Sequence, residues 1–203
     1  MIGLEIAENG LWTITINRPD KANSLTEAML TELAEIAERA QEARGLILTG
    51  AGKVFSAGAD LDEARAGLAT SPLWERLSAA MAAIPCLKVA ALNGTLAGGA
   101  NGMVLACDIR IAVPSAKFFY PVMKLGYLPQ PSDAGRMAAL IGPARTKMIL
   151  AAGQKITAQE AYGYGLVDRV VEPEALLETA EDLLAHALGA KPEIAAGILR
   201  MCR

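Results

Sequence analysis

Apolar and polar positions change their period several times along the chain, and each change marks an element. Residues 2–17 alternate, with Leu4, Ile6, Leu11, Ile14 and Ile16 as apolar positions and Glu8-Asn9-Gly10 between them, which predicts a β-hairpin. Arg18-Pro19-Asp20-Lys21 breaks the strand. From Thr26 to Ala43 the period lengthens. Met29, Leu30, Leu33, Ile36, Ala37 and Ala40 form one stripe, with Glu32, Glu35, Glu38 and Arg39 on the other face. This is the pattern of a helix covering a sheet. Three short apolar runs follow, at 45–49, 87–92 and 109–113, each ending in Gly, Asn-Gly or Pro. They read as buried strands separated by helical segments, so the expected fold is α/β with a parallel sheet.

The last third is mostly helical. Asp133 is placed to cap a helix running toward Leu150, and Thr157-Ala-Gln-Glu160 is a capping box. Residues 166–171 suggest a last short strand. Pro173 suits a first helical turn, Gly189 suits the end of that helix, and residues 191–203 begin another. The division expected is a core domain over 1–171 and a helical C-terminal appendage over 172–203.

Composition narrows the class. The chain has 203 residues, 53% of them hydrophobic but only 4% aromatic, so the core is built from Ala, Leu, Ile, Val and Met. A formal charge of −3 argues against nucleic acid, and no basic cluster suggests an anionic membrane surface. No apolar run reaches the length of a membrane span, and Met1–Ile6 lacks the charged start of a signal peptide. The three cysteines, Cys86, Cys107 and Cys202, have no metal-ligand spacing and fit reduced thiols, so a cytoplasmic setting is expected and no metal. The single histidine, His186, lies in an Ala/Leu-rich helical stretch, which makes histidine catalysis an unpromising route.

Two glycine-rich segments stand where strands end: Gly52-Lys-Val-Phe-Ser-Ala-Gly-Ala-Asp-Leu61 and Asn93-Gly-Thr-Leu-Ala-Gly-Gly-Ala-Asn-Gly102. Small residues there let a ligand approach backbone N–H groups, and two such donors aimed at one oxygen make an oxyanion hole. Neither segment has phosphate-loop or dinucleotide spacing.

In this order, the two segments resemble the crotonase (enoyl-CoA hydratase/isomerase) superfamily. Further segments in family order are Asn17-Arg18-Pro19 through Asn23-Ser24-Leu25, Ala106-Cys107-Asp108, Phe118 to Pro129, and Ile156-Thr157-Ala158 to Gly165-Leu166-Val167. The resemblance implies a spiral of ββα units with a shortened helical C-terminal region, and an acyl-CoA thioester as ligand. CoA would enter as part of that substrate rather than as a covalently bound cofactor. The resemblance also implies oxyanion donors at the N–H groups of Ala59 and Gly99. It implies a CoA path along Lys21, Ala22, Ala57, Asp60 and Leu61, and a homotrimer or dimer of trimers helped by C-terminal helices. Lys21 reads equally as a solvated turn residue.

The departures concern proton transfer. Hydratases of the family carry glutamates at the positions of Gly102 and Val122 here, and a variable acidic or tyrosine position falls on Gln130. None of these three residues transfers a proton near neutral pH. Of the remaining polar residues, Asp133 reads first as a helix cap and second as a catalytic carboxylate. Tyr120 and Tyr127 read as packing residues, Ser132 as a polar neighbour, and Glu63 as a first-turn helix carboxylate. Gly102 falls inside a helix, where glycine is unfavourable, so either substrate or close packing occupies the missing side chain's place. Two functions remain open: an enolate-forming enzyme other than a two-glutamate hydratase (a decarboxylase or isomerase), and a non-catalytic acyl-CoA-binding pseudoenzyme or assembly subunit.

Overall fold

The computed structural model describes residues 1–202. The alternating N-terminal residues form strands β1 (Ile2–Ile6) and β2 (Leu11–Ile16), an antiparallel hairpin turned at Gly10. Helix α1 (Glu27–Arg39) starts where Thr26 Oγ1 accepts from the Met29 N–H, and it buries its apolar stripe against helix α3 (Leu73–Ala83). The run after Arg44 is β3 (Gly45–Gly50), followed by a three-residue strand β4 (Val54–Ser56). The short α2 (Leu61–Arg65) and longer α3 (Leu73–Ala83) come next. The chain then repeats this plan with β5 (Leu87–Leu92), β6 (Thr95–Ala97) and α4 (Asn101–Leu105). A third turn is β7 (Ile109–Ala112), β8 (Lys117–Phe119) and α5 (Val122–Leu125).

In each turn the first strand joins a large sheet and the second joins a small one. The large sheet has the order β1-β2-β3-β5-β7, parallel from β2 onward. In the small sheet β4, β6 and β8 pair parallel in sequence order. This stepwise advance is the spiral of ββα units. The sequence pattern shows the large-sheet strands and misses the small-sheet ones, because three residues are too few to display a period.

Helix α6 (Pro131–Leu150) breaks at Gly142, whose φ of 78° and ψ of 160° leave the helical region just before Pro143. After it come β9 (Ile156–Thr157) on the small sheet, α7 (Ala158–Tyr164) with the expected Thr157–Glu160 capping box, and β10 (Arg169–Val170) on the edge of the large sheet. Helix α8 (Leu176–Gly189) lies against β3 and β5, burying Leu176, Ala180 and Leu184. Gly189 is not its cap: the helix runs through it and ends at Ala190 in extended backbone. Helix α9 (Pro192–Met201) buries none of its residues.

Two cations sit inside strands that read as apolar. Lys88 is fully buried in β5, 2.8 Å from Asp108. Arg110 in β7 donates to the carbonyls of Leu166 and Cys107 and pairs with Asp168, tying the last third to the sheet. Each buried charge is matched by acceptors, the condition under which burial is tolerated. No helix among the described residues is long and apolar enough to cross a membrane.

Candidate functional site

Pairing of β4 with β6 sets Ser56 beside Leu96, so both strands end side by side and their glycine turns leave the small sheet together. Gly58 adopts a φ of 89° and Gly98 a φ of 59°. A Cβ on Gly58 would come within 3.0 Å of the Ala97 carbonyl, so this close approach requires glycine. Leu25 donates to the Gly58 carbonyl and accepts from the Asp60 N–H, both at 2.8 Å. That bridge uses the residues on either side of Ala59, so the Ala59 N–H takes no part in it. Gly99 lies in a 3-10 turn over residues 98–100, whose opening amides have no acceptor within the turn.

Both turns border one cavity of about 380 Å³, with Ala57, Ala59 and Gly99 in its wall. Trp74 stands against Gly99, where a Cβ would meet its ring at 2.8 Å, and its indole N–H is held by the Leu68 carbonyl. Tyr120, Tyr127 and Gln130 also line the wall. Leu61 also borders the cavity but is 73% exposed.

The other expected binding residues fall outside this wall. Lys21 is exposed at the end of a 3-10 turn, Pro19–Lys21, and Ala22 follows it with a φ of 51° and accepts from the Ala57 N–H. Asp60 caps α2 through the Asp62 N–H and pairs with Arg18 at 2.7 Å. The Arg18 hydrogen bond holds its carboxyl below the usual range. Beneath these turns lies Asn23, which the sequence places in a family-like segment but to which it assigns no role. Fully buried, it accepts from the Arg18 N–H and donates to the carbonyls of Ala51 and Val54. Its own carbonyl accepts from the Ser56 hydroxyl.

Asp133 is not a helix cap. Gln130 occupies the cap position of α6 and makes no side-chain cap bond, while the Asp133 carboxylate turns into the protein and is fully buried. Its Oδ2 accepts from the Tyr120 hydroxyl at 2.9 Å, and among the described residues its Oδ1 has no partner. Burial pushes this carboxyl up to about 6, and Glu75 adds to the rise. Tyr120 and Arg136 oppose it. The same burial, with the neighbouring carboxylate, raises the Tyr120 hydroxyl. Tyr120 is therefore more than packing, and Tyr127 is 39% exposed on the cavity rim. Glu63 does sit in the first turn of α2, where it also accepts from the Glu27 N–H. His186 is exposed on α8, away from the cavity wall.

Fold and cavity together define an α/β spiral with two glycine turns facing a mainly apolar pocket. The enoyl-CoA hydratase/isomerase family model matches residues 6–200, and the chain belongs to that family. It is 32% identical to 1,2-epoxyphenylacetyl-CoA isomerase of Escherichia coli, covering 97% of this chain and 79% of that protein. It is 34% identical to short-chain-enoyl-CoA hydratase of Clostridium acetobutylicum, covering 87% and 71%. The solved enoyl-CoA hydratase of Bacillus anthracis superposes with a TM-score of 0.86 at 35% identity, covering 96% of this chain and 79% of that one.

Proposed function

We propose that the protein binds an acyl-CoA thioester with its acyl part in the 380 Å³ cavity and its carbonyl oxygen between the N–H groups of Ala59 and Gly99. The observation that carries this reading is the convergence of two separate amide-bearing turns on one mainly apolar cavity. Such donors stabilise the charge that develops as the thioester becomes an enolate, and removing one from comparable sites costs about 2.7–4 kcal/mol. Ala57 and Leu61 line the way to the carbonyl site, and Lys21 and Ala22 lie on the adjoining loop, with Asp60 holding α2 through its cap. CoA is part of the substrate in this reading. Three unpaired cysteines fit a reducing cytoplasm, and burial pushes the Cys107 thiol up to about 12, so it is no nucleophile.

The reaction is not the two-glutamate hydration. Gly102 in α4 and Val122 at the start of α5 carry no acid or base, and Gln130 offers hydrogen bonds only. Chemistry at the α-carbon through an enolate, as in isomerisation or decarboxylation, remains within reach of the site. The same missing groups favour a second reading, an acyl-CoA-binding pseudoenzyme or assembly subunit. Incubation with crotonyl-CoA and with methylmalonyl-CoA, following CoA species by mass spectrometry and binding by calorimetry, separates them. Binding with no hydration of crotonyl-CoA is expected, and turnover of that ester at ordinary hydratase rates would overturn the reading. Binding of several esters with conversion of none would favour the pseudoenzyme. We also infer that copies of the chain associate as a homotrimer or a dimer of trimers through the C-terminal helices.

A further inference from the structure

The glycine inside α4 and the buried carboxylate of α6 explain each other. A Cβ on Gly102 would stand 2.8 Å from Asp133 Oδ1 and 3.3 Å from Ser78 Oγ. The Asp133 carboxylate thus occupies the space a side chain at 102 would take. On its other side it holds the hydroxyl of Tyr120, which forms part of the cavity wall. The charged groups nearest Asp133 are Glu75 from α3 and Arg136 one turn on along α6. Glu75 is engaged by the N–H and hydroxyl of Ser132, and Arg136 by the Ser78 hydroxyl, which itself donates to the Gly102 carbonyl. Neither neutralises Asp133 by a direct ion pair. Tyr120 thus links the cavity wall to one carboxylate whose second oxygen has no partner among the described residues.

We propose that Tyr120 and Asp133 form a proton relay that removes and returns the α-proton of the bound acyl-CoA. This rests on the acyl-CoA reading given above. The α-proton passes to Tyr120 Oη as the Tyr120 hydroxyl proton passes to Asp133 Oδ2. The C–H electron pair becomes the enolate, whose oxygen lies at the Ala59 and Gly99 amides. Tyr120 remains a phenol and Asp133 becomes a neutral acid. Reversal returns the proton to the α-carbon or, for a 3-enoyl thioester, to the γ-carbon, which moves the double bond into conjugation. No oxidant or second substrate is needed. Tyr120 is the catalytic residue of this relay, and Asp133 acts through it. Burial makes Asp133 a stronger base than a surface carboxylate while leaving it ionised at neutral pH.

The test uses the full chain with but-3-enoyl-CoA in D2O, reading deuterium incorporation at the α-carbon and conversion to crotonyl-CoA. Tyr120→Phe and Asp133→Asn are each expected to lower exchange about 10²-fold or more, with calorimetric Kd within about threefold of wild type. Wild-type exchange should rise with pH through about 6 and then level off, and this limb should vanish in Asp133→Asn. Tyr120→Phe keeps the ring and its packing, so it carries the test if Asp133→Asn alters the fold. Exchange at the wild-type rate in both variants, or a wild type that binds the ester without exchanging, overturns the relay and leaves the binding reading standing. A wild type that does not bind the ester overturns the binding reading, and the relay with it.

Discussion

A carboxylate with no exposure and one unpaired oxygen costs stability whenever it is ionised. The folded state holds Asp133 near 6 against an ordinary value of 3.8, so folding favours its neutral form. The protein is thus helped by this group below about pH 4, and the help is lost as pH rises through about 6. A rise of that size corresponds to about 3 kcal/mol at pH 7. Asp133→Asn removes the ionisation and keeps an acceptor for Tyr120. It should raise the unfolding free energy at pH 7 by up to about 3 kcal/mol, and by close to nothing at pH 4. Urea titrations at the two pH values check this, and equal effects at both would contradict it. A variant that gains stability while losing exchange would place Asp133 among residues kept for activity at the expense of the fold. The sequence alone hides this residue. Position 133 in a first helical turn reads as a cap, and only tertiary contact brings it to Gly102 and Tyr120. The misplaced glycine at 102 is the one local sign that something fills that space.

At the scale of elements, Asn23 governs how the glycine turns are held. Three segments hang on its side chain: Arg18, Ala51 and Val54. Its φ of 53° also suits asparagine better than most residues. Asn23→Ala leaves those partners unsatisfied in a buried place and is expected to destabilise by about 2–4 kcal/mol, read from the urea midpoint. A loss below about 0.5 kcal/mol would show that water replaces the amide. Elements with a sustained period were legible: the hairpin, α1, the large-sheet strands and the 157–160 capping box. The small sheet was not, because β4, β6 and β8 have three residues each and take their place from neighbours rather than from pattern. The buried Lys88 and Arg110 were invisible for a related reason, since their partners Asp108 and Asp168 stand 20 and 58 residues away. The two turns at the cavity were legible because each carries a dense run of small residues and follows a strand.

For the whole molecule, α9 stands out as a ten-residue helix with no buried residue. Ile194, Ile198 and Met201 are 54%, 57% and 87% exposed along it. Apolar side chains grouped this way on a monomer mark a contact surface. If copies of the chain associate there, Ile198→Asp should move the sedimentation coefficient toward that of a monomer while leaving the circular dichroism spectrum unchanged. A wild type that already sediments as a monomer would overturn the association. The consequence that reaches furthest comes from the small sheet. Both glycine turns leave adjacent strands at one end of it, while Tyr120 directly follows β8 and Asp133 lies in the first turn of α6. In the proposed reading, the carbonyl contacts come from backbone amides, whereas proton transfer belongs to the side chains of Tyr120 and Asp133. On that reading, a substitution at Tyr120 or Asp133 changes what happens to a bound ester while the Ala59 and Gly99 amides, which no side chain supplies, stay in place.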